Sequence, residues 1–198
     1  MKRRLWTAVT VFGLVLLVAA AGLTIGNVHA DRQAARSRDS LLQEISAAMP
    51  QSDGEPETED AAEDPLQFDV PAVSIDGQSV MGAVFFPTLS LELPVLAEYD
   101  LPSLRIAPAV FSGTPEGEDL VICGHNYRSH FGPLNQLARG DEVFLKTMDG
   151  TVYRYEVSAT EIVSPLAVED VVGGAWDLTL FTCTMGGQTR FVVRCDLA

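Results

Sequence analysis

Hydrophobic positions fall into three regimes along the chain. From Leu5 to Ile25 no residue is charged, and Leu, Val, Ala and Phe predominate, with Thr7, Thr10 and Thr24 the polar residues among them. A helix of that length, at ~1.5 Å per residue, matches a hydrocarbon core of ~30 Å. The run therefore predicts a membrane-spanning anchor over residues 5–25. A cleavable signal peptide is the competing reading, because Val28-His29-Ala30 has the small-residue spacing of a cleavage site. The apolar run, however, is longer than the ~7–15 residue core of such peptides. From Asp31 to Met49 the pattern becomes that of a polar juxtamembrane helix with a partial apolar stripe of Leu41, Leu42, Ile45 and Met49. Gln51 to Pro65 then loses all periodicity among Gly54, Pro56, Pro65 and a run of Glu and Asp. Such a segment buries too little apolar surface to order itself, and it is expected to be a flexible stalk.

From about Pro71 the period shortens to that of strands. Met81–Phe86, Leu91–Leu96, Leu120–Gly124, Val143–Lys146, Thr151–Val157, Leu178–Cys183 and Arg190–Cys195 are short runs rich in Val, Ile, Leu, Phe and Tyr, separated by Gly, Pro, Asp and Ser. Thr151-Val152-Tyr153-Arg154-Tyr155-Glu156-Val157 alternates as a strand with one wet face does. Asp149-Gly150 between two of the runs is a hairpin signal. Helix is expected only as a turn over Pro133–Leu137. Many short strands without βαβ alternation predict an all-β domain, a closed or partly closed β-barrel with short helices. The expected organisation is a cytoplasmic tip and membrane anchor over 1–30, a juxtamembrane helix and stalk over 31–70, and a barrel domain over 71–198.

Charge narrows the partners. The net charge of −14 excludes nucleic acid as a partner, since that needs clustered Lys and Arg. Residues 1–30 carry Lys2, Arg3 and Arg4 and no acid, whereas residues 31–70 set three Arg against eleven Asp and Glu. The dense N-terminal basic cluster orients the anchor with its N-terminus in the cytoplasm and the barrel outside the membrane.

Three cysteines, Cys123, Cys183 and Cys195, are too few and odd in number for a disulfide framework. In Thr179-Leu180-Phe181-Thr182-Cys183 a strand ends in a cysteine; a glycine turn follows, and the next strand opens with Arg190. In such a hairpin the guanidinium lies near the thiol, favours the thiolate and can stabilise an oxyanion. The competing reading is a buried structural cysteine and a surface arginine. In Val121-Ile122-Cys123-Gly124-His125-Asn126 a histidine follows a buried-looking strand, where it can face a cleft as general acid and base. His29 at the anchor edge and His130 in a loop are weaker candidates. Cys123 shares a strand face with His125; it reads as a small buried hydrophobe, or as an oxidation partner for Cys183. Cys195 reads as structural.

Together these residues resemble the sortase family. Thr179-Leu180-Phe181-Thr182-Cys183 is similar to its T-L-x-T-C signature, and Arg190 falls where the family has its arginine. Gly124-His125-Asn126 resembles its histidine segment, and Phe131-Gly132-Pro133-Leu134 the short helix after it. Met81-Gly82-Ala83-Val84-Phe85-Phe86-Pro87 and Leu91-Glu92-Leu93-Pro94-Val95 are similar to its opening strands, so the likeness runs over roughly Ile75 to Cys195. The resemblance implies a membrane-anchored cysteine transpeptidase with Cys183 as nucleophile, His125 as general acid/base and Arg190 stabilising oxyanion and substrate. Its substrates would be secreted proteins with a C-terminal, L-P-x-T-G-like sorting signal. A peptidoglycan precursor or a pilin lysine would supply the acceptor amine. No cofactor is implied, and no spaced ligand set singles out a calcium or other metal site. The loop Ser158–Asp177 before the nucleophile strand is where the family shapes its substrate groove. Two rivals remain, another Cys–His cell-wall hydrolase and an inactive membrane-tethered binding module. In the amidases of the first kind the cysteine precedes the histidine and opens a helix, whereas here His125 comes first. An inactive module is expected to have lost the Cys, His or Arg, and all three are present.

Overall fold

The computed structural model describes residues 2–49 and 72–198, so the acidic stretch Gln51–Pro65 lies outside the described residues. Two compact units are present, residues 1–33 and residues 34–198. The first is the leading part of helix α1 (Lys2–Ala48). Its side chains from Val11 to Val28 are largely exposed and apolar, Leu17 and Leu23 among them. Length and composition make this stretch a candidate membrane span.

In the second unit the remainder of α1 is amphipathic. Ala34, Leu41 and Ile45 are buried, at the seven- and four-residue separations that put side chains on one helix face. Leu41 and Ile45 pack with Ile75, Val80, Leu96, Leu104 and Met148, with Leu42 and Met49 at the margin. The apolar stripe is therefore part of the core of this unit.

The rest is an eight-stranded closed barrel with one added strand. Strand β1 (Val73–Ile75) pairs only with β2 (Gln78–Phe86). The barrel continues through β3 (Leu91–Leu96), β4 (Ala109–Ser112), β5 (Leu120–Gly124), β8 (Leu178–Cys183), β9 (Arg190–Leu197), β7 (Val152–Val163) and β6 (Glu142–Thr147). Pairing of β6 with β2, from Gly82↔Thr147 to Phe85↔Phe144, closes the ring, leaving no free edge in the barrel itself. Two ladders are parallel, β3–β4 and β5–β8; the others are antiparallel. Inward positions such as Met81, Phe86, Leu93, Ile122, Leu145, Tyr155, Leu180 and Val193 fill the interior. Short helices are few: 3-10 turns at Pro87–Leu89, Ser103–Arg105 and Gly132–Gln136, and helix α2 (Val168–Val172).

Two strands escape the sequence pattern. β1 has three residues and β4 four, too short to show a period. β7 runs to Val163, beyond the Val157 at which its alternation ends. A bulge between Val157 and Ala159 flips the pattern there. Past that point β7 pairs with β9 alone, whereas its first half also pairs with β6. The connection before β8 is correspondingly shorter than Ser158–Asp177, and it contains α2.

Leu41→Ala and Ile45→Ala are each expected to lower the unfolding free energy by about 2–5 kcal/mol. Ser40→Ala, on the exposed face of the same turn, is expected to change it by about 0.5 kcal/mol at most. Urea titration of the full chain in detergent measures all three.

Candidate active site

Strand alternation decides what reaches the outer surface at one end of the barrel. In β8, Leu178 and Leu180 face the interior cluster, so Thr179, Phe181 and Cys183 face outward. In β9, Val193 and Cys195 are interior, which turns Arg190, Val192 and Arg194 outward. Cys183 and Arg190 are direct partners in the antiparallel ladder, which sets their Cα atoms roughly 4.5–5.5 Å apart. Between them, Gly186 (φ 84°) and Gly187 (φ 72°) take left-handed conformations open at low cost to glycine. The turn closes through Thr184 N–H to Thr189 O at 3.0 Å and a 2.7 Å contact between the two threonine hydroxyls. Arg190 Nη1 donates to the carbonyls of Gly187 (3.1 Å) and Thr189 (3.2 Å), steadying the guanidinium against this turn.

His125 arrives from the other side of β8. The parallel β5–β8 ladder runs in register from Leu120↔Leu178 to Gly124↔Thr182, so the next residue along β5, His125, comes level with Cys183. Gly124 points inward, where an added Cβ would meet the Phe131 ring at 2.9 Å; a larger residue there would push the ring or the strand end away. Thr182 Oγ1 donates to Gly124 O at 2.8 Å, and Asn126 Nδ2 to Thr184 O at 3.4 Å, clamping the two strand ends together. The His125 ring lies 4.9 Å from that of Tyr127. Burial, and secondarily the exposed Arg105 guanidinium, hold its pKa below the ordinary 6.5.

Cys183, His125 and Arg190 all line one cavity of about 250 Å³. Its walls are mainly apolar: Tyr99, Leu104, Phe111 and Phe181, with Ala167, Val168 and Val171 from the α2 segment. Tyr99, Phe111 and Phe181 form an edge-on series with ring centroids 5.2 and 5.3 Å apart. A second, larger hollow of about 700 Å³ also reaches Cys183, its lining including Asn126, Arg128, Asn135, Gln136 and Met185. The nucleophile candidate thus borders both an apolar hollow and a more polar one.

The other cysteines are separated from this chemistry. Cys195 is fully buried in the barrel interior, where burial drives its thiol pKa up. Cys123 also lines the apolar cavity, but burial pushes its pKa up to about 12. Register places Cys123 beside Phe181, two residues short of Cys183. From strand spacing and rise their Cα separation is roughly 8 Å, beyond the ~7 Å that a disulfide spans. The register therefore opposes the oxidation pair considered from sequence. His130, read as a weaker candidate, is fully buried with its ring 5.5 Å from that of Tyr127, and it does not line either hollow. Sequence reasoning missed Tyr99, Leu104 and Phe111, which come from a connection, a 3-10 turn and a four-residue strand without periodic signal. Ala167, Val168 and Val171 lie within the segment Ser158–Asp177 to which the sequence points, though it singles out no residue there. Among the described residues no group of three or more metal-ligating side chains is gathered.

A closed barrel with a thiol, an imidazole and a guanidinium gathered on three adjacent strand ends has the parts of a covalent acyl-transfer site. Residues 84–198 match the sortase domain, and the chain belongs to the sortase family of cysteine transpeptidases. It is 28% identical to Sortase A of Bacillus anthracis over 206 residues, covering 99% of this chain and 96% of that protein. Among solved structures, it resembles Sortase A from Corynebacterium diphtheriae (25% identity, TM-score 0.56), the match covering 61% of each chain. It also resembles sortase C1 from Streptococcus agalactiae (26%, TM-score 0.55), the match covering 63% of this chain and 70% of that one.

Because its cation is disfavoured in the folded state, His125 takes up its proton later than in the unfolded chain as the pH falls. Its contribution to stability is present above pH 6.5 and is lost as the pH drops through the folded value. Arg105→Gln is expected to raise the His125 titration midpoint while leaving it below 6.5, because burial, the larger cause, remains. The imidazole Cε1–H resonance followed by NMR against pH measures this.

Proposed function

We propose that this protein is a membrane-anchored sortase that cleaves a sorting signal of secreted proteins and transfers the acyl part to an amine. The observation that carries the reading is the ladder pairing of Cys183 with Arg190, with His125 level with Cys183 on the neighbouring parallel strand. In the proposed cycle the Cys183 thiol passes its proton to His125, and the thiolate attacks a backbone carbonyl carbon of the donor peptide. Arg190 offsets the negative charge that develops on the carbonyl oxygen. As the C–N bond breaks, His125 returns the proton to the leaving amine, which departs and leaves a thioacyl enzyme. A folded-state environment that disfavours imidazolium makes His125 a ready proton donor at this step. An acceptor amine then attacks the thioester carbonyl, His125 takes its proton, and the Cys183 sulfur leaves and is reprotonated.

The two hollows suit two substrates. The apolar cavity fits the aliphatic part of an L-P-x-T-G-like donor. The larger one, with Asn126, Arg128, Asn135 and Gln136, fits a polar acceptor such as a peptidoglycan-precursor amine or a pilin lysine. The anchor would be inserted with its N-terminus in the cytoplasm, keeping the barrel where secreted donors emerge.

The full chain in detergent, mixed with a degenerate pentapeptide donor library and triglycine, is expected to give a thioacyl adduct and a triglycine-ligated product by intact mass. Cys183→Ala is expected to give neither. His125→Ala and Arg190→Ala are each expected to lower kcat/KM by about 10²–10⁴-fold. Turnover by Cys183→Ala at the native rate would sink the reading.

A further inference from the structure

Strand β9 carries a second outward arginine four residues beyond Arg190, and nothing in the cycle above uses it. Arg194 is 3% exposed, an unusual place for a permanent charge unless its donors are all engaged. They are spread over three elements. Nε donates to Glu161 Oε1 of β7 at 2.8 Å, an ion pair whose carboxylate side is partly exposed. Nη1 donates to Thr179 Oγ1 of β8 at 3.0 Å and to Val171 O at 2.8 Å, and Nη2 donates to Asp170 O.

The last two acceptors are carbonyls at the C-terminal end of α2, which intrahelical bonds leave unused. Within the helix, Val171 N–H goes to Ala167 O and Gly173 N–H to Glu169 O. A five-residue helix does not hold itself together in water. α2 is fastened from below by Val171, packed on Val121 and Val192, and at its C-terminal end by one guanidinium of favourable sign for that pole. Its residues Val168 and Val171, with Ala167 just before it, form one wall of the apolar cavity beside Cys183.

We propose that Arg194 is a positioning residue for the donor peptide. By capping α2 and tying it to β7 and β8, it holds the wall against which an apolar donor side chain packs. It takes no part in bond making at Cys183. The proposal rests on the donor reading of that cavity given above.

The test uses the full chain in detergent. Arg194→Met keeps the length of the side chain and removes every donor. It is expected to raise the donor-peptide KM by about tenfold, with kcat at saturating peptide within about twofold of wild type, the pattern of lost ground-state binding. Amide exchange over residues 165–176 is expected to accelerate, while alkylation of Cys183 by iodoacetamide keeps its wild-type rate. Arg194→Lys, a point charge unable to serve all the acceptors, is expected to fall between. If Arg194→Met does not fold, Glu161→Gln, away from the cavity lining, removes the ion pair that ties the guanidinium to β7 and is expected to raise the donor KM in the same direction by a smaller factor. An unchanged donor KM in a folded variant overturns the proposal, and so does exchange over 165–176 no faster than in wild type. A fall in kcat with KM constant also overturns it, by assigning Arg194 to the chemistry. If wild type gives no thioacyl adduct with any peptide, the donor reading fails, and faster exchange in Arg194→Met then supports the pinning alone.

Discussion

The parallel ladder between β5 and β8 is the constraint on which the site depends. Its strands are separated by more than fifty residues of chain, yet they pair in register over five positions, ending at Gly124↔Thr182. That register alone brings His125 level with Cys183. A slip of one residue would turn either strand's Leu and Ile side chains out of the barrel and its polar ones in. Packing of Leu120, Ile122, Leu178 and Leu180 therefore enforces the register, and a core interaction sets the spacing of two chemical groups on the surface.

Around that ladder the barrel divides its labour by face. Inward positions of β5, β8 and β9 are mostly aliphatic, with Gly124, Thr182 and Cys195 among the exceptions. Outward positions of the same strands hold Cys123, Phe181, Cys183, Arg190 and Arg194, each in a different surrounding. Arg190 is near the open end, held by carbonyls of the β8–β9 turn, whereas Arg194 is covered by α2. The same residue type on the same strand thus has two environments, set by what lies above each position. The cavity wall made by α2 is not barrel at all.

The second half of α1 belongs to this arrangement. Leu41 and Ile45 share a cluster with Leu104 and Cys123, which also line the apolar cavity. Chain on the N-terminal side of the acidic stretch is thus part of the packing beneath one wall of the site.

Much of this was written locally. The charge-free run Leu5–Ile25 is visible by its length, and the stripe Leu41, Leu42, Ile45, Met49 and seven of the nine described strands are visible as periods, because burial acts on residues two or about four apart. The Cys183–Arg190 pairing was legible as well, since a short glycine turn joins the two strands. What the sequence could not contain was the list of neighbours. β1 and β4 are too short for a period, and the extension of β7 to Val163 is hidden by a bulge. Tyr99 and Phe111 come to Cys183 from distant segments, Phe111 through the β4–β5 ladder, while α2 reaches it by folding back over β8 and β9. The burial of Arg194 follows from α2 lying over it. Local order is set by interactions along a few residues of chain and so is readable in it. The shape and walls of the site are set by contacts between distant segments, and those exist only once the barrel has closed.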